Sequence, residues 1–122
     1  MKIGISGTAT TVVTDANTAK AVKSGNLDVF STPMMVALME EAACKCLEEE
    51  SVGTQISVMH SAASPLGASI TATATVTGIE GRKVTFDLIA HDEKDGEKSE
   101  IGKGTHTRFI IDADRFMAKL KG

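Results

Sequence analysis

Between Ser69 and Thr77 apolar and hydroxyl side chains alternate without interruption: Ile70, Ala72, Ala74 and Val76 fall on one face, Ser69, Thr71, Thr73, Thr75 and Thr77 on the other. A period of two sends successive side chains to opposite faces of a strand, so this segment reads as a β-strand with one face buried and one in water. After the turn-prone Glu80-Gly81 the period returns over residues 82–91, with Val84, Phe86, Leu88 and Ala90 in phase, and the pair reads as a hairpin. It is also present earlier, over residues 54–62, where Ile56, Val58, His60 and Ala62 share a face. A Thr- and Val-rich first strand over residues 2–14 ends at the turn-prone TDANTA. A last strand over about residues 101–111 follows the polar stretch DEKDGEKSE, residues 92–100, read as a solvated loop.

A sheet with one apolar face needs a cover, and one segment can supply it. From Pro33 to about Glu49 the chain reads PMMVALMEEAACKCLEE, strong helix formers with apolar residues on every side over the first two turns, until Ser51-Val52-Gly53 breaks it. Thr32 reads as its cap, with Pro33 at the first helical position, and residues 15–31 as a surface connection. The tail DADRFMAKLKG predicts a short closing helix. The expected class is α+β, a hotdog fold in which an antiparallel sheet of about five strands wraps round one long central helix. Cystatin-like and nuclear-transport-factor-like sheets are the competing architectures. One helix covers only part of such a sheet, so a homodimer or a higher homo-oligomer is expected to cover the remainder and the strand edges.

With 122 residues there is room for a single domain spanning 1–122. A net charge of -3 and the absence of Trp and Tyr argue against nucleic acid as a partner, and 42% hydrophobic with 24% charged residues is ordinary globular usage, against a membrane span. The start MKIGISGTATT lacks the apolar run of a signal peptide, which predicts a cytoplasmic protein. Cys44 and Cys46 stand two apart in a helical segment, where their side chains point away from each other, and read as small hydrophobes. His60, His91 and His106 follow no ligand spacing, so no metal is expected.

Some residues are out of place in a purely structural reading. Glu40 stands on the apolar stripe formed with Val36, Ala43 and Leu47, where a carboxylate is costly unless paired. The strand phase of His60 puts an imidazole on the face that meets the helix, and a buried imidazole near a buried carboxylate can move protons at neutral pH. The hydroxyl of Thr32 sits at a helix N-terminus, beside free N–H groups and a partial positive charge that welcome an oxyanion. Gly53 opens the strand of His60 and allows close approach to its backbone. On the last strand His106 and Arg108 share a face; Arg108 reads as a salt-bridge partner or an anion binder, and His91, beside Asp92, reads as exposed.

Four segments, STPMMVALMEEAA, VGTQISVMH followed by SPLG, EGRKVTFDLIAHDE and GKGTHTRF, together resemble the fluoroacetyl-coenzyme A thioesterase-like family of hotdog proteins over nearly the whole chain. The resemblance implies a dimeric acyl-coenzyme A thioesterase whose only cofactor-like group, coenzyme A, is part of the substrate. It implies a catalytic set of Thr32, Glu40 and His60, with the backbone N–H of Gly53 holding the thioester oxygen and Arg108 matching the family's arginine. The acyl pocket is expected to be small and aliphatic, lined by Phe30, Met34 and Val36. In the fluoroacetyl-specific member an aromatic lid precedes the threonine by several residues, whereas Lys23–Val29 contains no aromatic here and only Phe30 lies close, which argues against fluoroacetyl selectivity and leaves a short acyl thioester as the expected substrate. The residues leave open whether Thr32 attacks or positions, and whether His60 meets the Glu40 of its own chain. The rival functions are a non-catalytic acyl-coenzyme A binding or sensing module and a structural dimeric subunit.

Overall fold

The computed structural model describes residues 1–122, with β1 at Ser6–Val12, α1 at Ala19–Val22, α2 at Thr32–Cys44, β2 at Ser51–His60, β3 at Ser69–Glu80, β4 at Lys83–Lys94, β5 at Glu97–Ile110 and α3 at Ala113–Leu120. The strands form one antiparallel sheet in the order β1-β3-β4-β5-β2. The apolar face of β3 is buried as its alternation requires, and the register sets Ala72 beside Ala90, Ala74 beside Leu88 and Val76 beside Phe86. Over this face lies α2, burying Met35, Leu38, Met39, Ala42 and Ala43. Long helix side chains above an alanine-rich strand face let the two layers approach and fill the space between them. A helix seated on one face of a five-stranded antiparallel sheet is the α+β hotdog arrangement expected.

The helix does not lie centrally over the sheet. It packs chiefly on β1 and β3, at one side of the five strands, and meets β4 and β2 much less. The inner face of β2 is left with thinner cover, and Ile56, Val58 and His60 remain half-buried there, while His106 and Arg108 beside it on β5 are buried.

Several boundaries differ from the sequence reading, β1 spanning Ser6–Val12 rather than 2–14 and β2 beginning at Ser51 rather than at 54. α2 ends at Cys44 rather than near Glu49: the chain tightens into three-residue hydrogen bonds from Cys46 N to Ala43 O and from Leu47 N to Cys44 O. Glu48, Glu49 and Glu50 could not extend the helix favourably, since they would add negative charge to its negative end. Residues 92–100 are not a loop: β4 and β5 run on to a two-residue turn at Asp95-Gly96, both with positive φ. Asp-Gly is the pair such a turn favours, and it was the overlooked signal. A short helix, α1, interrupts residues 15–31, capped by Thr18, whose hydroxyl accepts from Ala21 N. β2 stops at His60, so Ala62 lies beyond the strand.

α3 forms as expected, capped by Asp112. No helix is long and apolar enough to cross a membrane. Cys46 is buried in the core, Cys44 is exposed, and burial pushes the Cys46 thiol pKa up, with a further push from Cys44. Met39 is completely buried at the centre of the helix–sheet layer. Met39→Ala is expected to destabilise the fold by about 2–5 kcal/mol, the range for truncating a large core side chain, read as a lowered urea midpoint.

Candidate active site

The start of α2 is built differently from the sequence reading, and the difference is chemical. Ser31, not Thr32, is the N-cap: its backbone is extended and its Oγ accepts from Met34 N at 3.2 Å. Thr32 is therefore already in the first turn, ahead of Pro33, and its hydroxyl is released from capping. That hydroxyl is hydrogen-bonded to Nδ1 of His60, 2.7 Å away. The pair borders a cavity of about 250 Å³ whose walls include Ala19, Val29, Phe30 and Ala62. Phe30 lines this cavity, but it is buried in the core and its backbone is bridged to Thr18, so it is a wall and not a mobile lid. Met34 does not line it and opens instead on a separate space of about 160 Å³ with Thr10, Ala37 and Leu38; Val36 lines neither.

His60 Nε2 is buried and has no hydrogen-bond partner. Burial pulls the His60 pKa below the ordinary histidine value, against a smaller upward pull from the backbone at Ala62. The imidazole is thus neutral at neutral pH and able to take a proton. The loop after His60 is tied down by a pair that sequence reasoning missed. Ser64 Oγ donates to Oδ2 of the buried Asp92 at 2.7 Å, while Ser64 O accepts from Phe30 N at 2.9 Å. These bonds fasten one wall of the cavity to the end of β4. Nothing in sequence spacing pairs residue 64 with residue 92.

The second cluster surrounds Glu40. Arg108 Nη1 donates to Glu40 Oε2 at 3.0 Å, Arg108 Nε donates to Ser51 Oγ at 2.8 Å, and Arg108 Nη2 donates to Ser51 O at 3.1 Å. Arg108 is buried, whereas 40% of the Glu40 side chain remains exposed, so this carboxylate stands at the rim of the core rather than within it. Arg108 is accordingly neither a surface residue nor a free anion binder; a carboxylate from the helix already holds its guanidinium.

His106 completes the cluster. Its Nδ1–H donates to Gln55 O at 2.7 Å, which fixes the tautomer and leaves Nε2 to accept from Arg108 Nη1 at 3.2 Å, with Glu40 Oε2 at 3.8 Å. Burial lowers the His106 pKa, Arg108 lowers it further, and the bond to Gln55 and the charge of Glu40 pull the other way. Gly53 is required by this arrangement: a Cβ there would lie 2.5 Å from Glu40 Oε2 and 3.1 Å from Arg108 Nη1. What approaches the Gly53 backbone in this chain is the ion pair. His91 is half-buried rather than exposed, and no cluster of His, Cys, Asp and Glu could hold a metal ion.

The two clusters stand at opposite ends of β2. His60 and Gly53 are seven residues apart on one strand, roughly 23 Å, and Thr32 and Glu40 are eight apart on one helix, about 12 Å. Within one chain, therefore, the structure joins Thr32 to His60 and Glu40 to Arg108, but does not join Glu40 to His60.

Residues 13–114 match the family described as fluoroacetyl-CoA-specific thioesterase, FlK. The fluoroacetyl-CoA thioesterase of Streptantibioticus cattleyicolor is 41% identical over 100 residues, 77% of this chain and 69% of that protein. A solved structure of the fluoroacetyl-CoA thioesterase FlK superposes with a TM-score of 0.87 at 37% identity, covering 99% of this chain and 96% of that one. A threonine-to-serine variant of FlK, solved in complex with acetyl-CoA, gives 0.85 at 36% identity over 99% of this chain and 97% of that one. A thioesterase superfamily member from Thermus thermophilus gives 0.86 at 26% identity, over 98% and 90%.

The two depressed histidines predict how stability responds to acid. Each binds a proton more readily unfolded, near the ordinary value of about 6.5, than folded, so stability is retained above that pH and falls as pH drops through it. The urea midpoint is expected to decline from about pH 6.5 downward, and less steeply in His106→Asn, which retains a donor for Gln55 O but does not titrate. Equal slopes in the two proteins would contradict a neutral His106.

Proposed function

The chain belongs to the fluoroacetyl-CoA-specific thioesterase family, and on that premise we propose that it hydrolyses short acyl-coenzyme A thioesters at a site assembled from two copies of the chain. The observation that carries the chemistry is the 2.7 Å hydrogen bond between Thr32 Oγ1 and His60 Nδ1. A hydroxyl is a weak nucleophile until a neighbouring base takes its proton, and a neutral imidazole at that distance is such a base. The pair stands at the N-terminus of α2, where the amide of Thr32 has no intrahelical acceptor and the helix dipole favours negative charge. A thioester oxygen that gains charge during attack is stabilised there. The adjoining cavity of about 250 Å³ is smaller than the roughly 300–1,000 Å³ that accommodates drug-sized ligands, which supports a short acyl group. The FlK variant bound to acetyl-CoA supports the same substrate class.

In this reading Thr32 Oγ1 attacks the thioester carbonyl as its proton passes to His60 Nδ1, the carbon–sulfur bond breaks, and the departing thiolate takes that proton from the imidazolium. Water then attacks the threonine ester, giving up one proton to a base and releasing the carboxylic acid as threonine recovers its hydrogen. Glu40, oriented by Arg108, is the group that activates the water.

For Glu40 to reach the ester it must come from a second copy. β2 is an edge strand with an open hydrogen-bonding side. Antiparallel pairing of β2 with its twin about a two-fold axis near Gln55 and Ile56 brings His60 of one chain across from the partner's Ser51, the residue that grips Arg108 beside Glu40. It also sets a second sheet beside the thinly covered inner face of β2.

Glu40→Gln is expected to lower kcat by about 10²- to 10⁴-fold with folding intact, whereas Glu41→Gln, at an exposed residue paired to Lys45, leaves it unchanged. Sharing of the site is read by mixing two inactive proteins, His60→Ala and Glu40→Ala. After subunit exchange a composite site returns about a quarter of wild-type activity, because half the dimers are mixed and each carries one intact site. Activity that stays at background after verified exchange would show that each chain catalyses with its own groups. A Thr32→Ala protein that retained an acyl-enzyme burst would remove the nucleophile assignment.

A further inference from the structure

Two buried side-chain polar atoms in the whole chain have no hydrogen-bond partner, His60 Nε2 and Asp92 Oδ1. They belong to the same end of the sheet. His60 is opposite Gly102, Gly102 is opposite Ala90, and Asp92 is two positions beyond Ala90 on the same buried face. The backbones of the two residues are therefore two strand spacings apart, roughly 10 Å, and about 7 Å out of step along the strands. The loop 61–64 joins them. It leaves β2 at His60 and is pinned to β5, where Ser61 N and Ala62 N both donate to Ile101 O, at 2.8 and 3.3 Å. It reaches β4 where Ser64 Oγ donates to Asp92 Oδ2 at 2.7 Å. A carboxylate as buried as Asp92, with one oxygen unpaired, calls for a reason other than stability. Its charge is countered by Lys94, whose Nζ lies 3.8 Å from Oδ2, so what Asp92 gives its surroundings is an acceptor for Ser64.

The need for such a tie lies at His60. The 2.7 Å bond between Thr32 Oγ1 and His60 Nδ1 runs in either direction, depending on the tautomer. Only with the ring proton on Nε2 is Nδ1 able to take the threonine proton; with the proton on Nδ1, the threonine accepts and is not activated. A buried N–H without an acceptor is more costly than a buried lone pair, so an unattended ring would settle in the unproductive tautomer. The backbone at Ala62 pulls the His60 pKa upward, as a carbonyl facing a ring N–H does, and Nε2 is the ring nitrogen that Thr32 does not engage. Ala62 is two residues from His60 and two from Ser64, so the place of its carbonyl is decided by where Ser64 is held.

We infer that the Ser64–Asp92 hydrogen bond is a positioning clasp for His60: it holds the 61–64 loop so that the Ala62 carbonyl faces Nε2–H and Nδ1 is kept free to receive the Thr32 proton. This rests on the thioesterase reading and deepens it. A base oriented by a third group recurs wherever a hydroxyl is the nucleophile. Here the third group is a backbone carbonyl, and Ser64 and Asp92 act through it. Neither lines the cavity beside Thr32, so both are positioning residues.

The ring tautomer is read by nitrogen-15 NMR of the imidazoles, the His60 signals being those absent from His60→Asn. In the wild type His60 is expected to carry its proton on Nε2, while His106, bonded through Nδ1–H to Gln55 O, supplies the opposite tautomer as an internal standard. Ser64→Ala is expected to shift His60 toward Nδ1–H. It lowers kcat for acetyl-CoA by about 10- to 10²-fold with KM held, the loss that a misplaced catalytic group produces. Asp92→Ala does the same, and Asp92→Asn, which keeps an oxygen to accept from Ser64, restores the tautomer and most of kcat. Met39→Ala, weakened through packing alone, leaves the tautomer unchanged, which separates positioning from a general loss of stability. An Nε2–H tautomer that survives in Ser64→Ala overturns the clasp, and so does its loss in Asp92→Asn. If the wild type hydrolyses no thioester while the tautomer still depends on Ser64, the clasp stands and the hydrolase reading falls.

Discussion

The off-centre seat of α2 governs the rest of the molecule. Alanines at 72, 74 and 90 give the helix a shallow bed on one side of the sheet, while Met35 reaches across to Gly102 on β5. With the helix committed to that side, the inner faces of β5 and β2 carry polar groups, half-buried His60 at one end and buried His106 and Arg108 at the other. Those groups survive desolvation because each is held. Thr32 bonds His60, while Gln55, Ser51 and Glu40 satisfy the pair on β5. Packing at one side of the sheet thus determines where chemistry can occur at the other.

Arg108 shows how a buried charge is made tolerable. Its guanidinium spends its donors on a serine hydroxyl, a backbone carbonyl, an imidazole nitrogen and a carboxylate, so almost no hydrogen-bonding capacity is stranded. The cost is geometric. Gly53 must lack a side chain, and His106 must stay in one tautomer to accept from the arginine while donating to Gln55. A carboxylate fixed this rigidly and still open to solvent on one side is well placed to meet a group from another molecule.

Period-two alternation made most of the sheet legible, since a strand with one wet face writes its burial directly into sequence. The helix was equally legible from its composition, and the family resemblance rested on segments that the structure brings into the same region. The misses share a physical cause: each depended on a contact between distant residues or on a single-residue offset. Ser31 and Thr32 are both good caps, and only the backbone angles separate them. His106 and Arg108 were seen to share a face, but which face depended on pairing with β2 across the sheet. The anchoring of Ser64 by Asp92 joins a loop to a strand end, and no local pattern encodes it. Asp95-Gly96 was local, and was passed over because the charged residues flanking it resemble a solvated loop.

The neighbouring hydroxyls of Ser31 and Thr32 have an evolutionary corollary. One starts the helix and the next bonds His60, so stability and, on the proposed mechanism, reactivity are encoded in adjacent codons with interchangeable chemistry. A shortened loop before the helix, or the loss of Ser31, would leave Thr32 as the nearest group able to satisfy the exposed amides. The helix would persist with the Thr32 hydroxyl reassigned to structural duty. Descendants of such a chain would keep the fold, the cavity and the histidine while falling silent as catalysts, a short mutational path from an enzyme to a receptor for the same ligand.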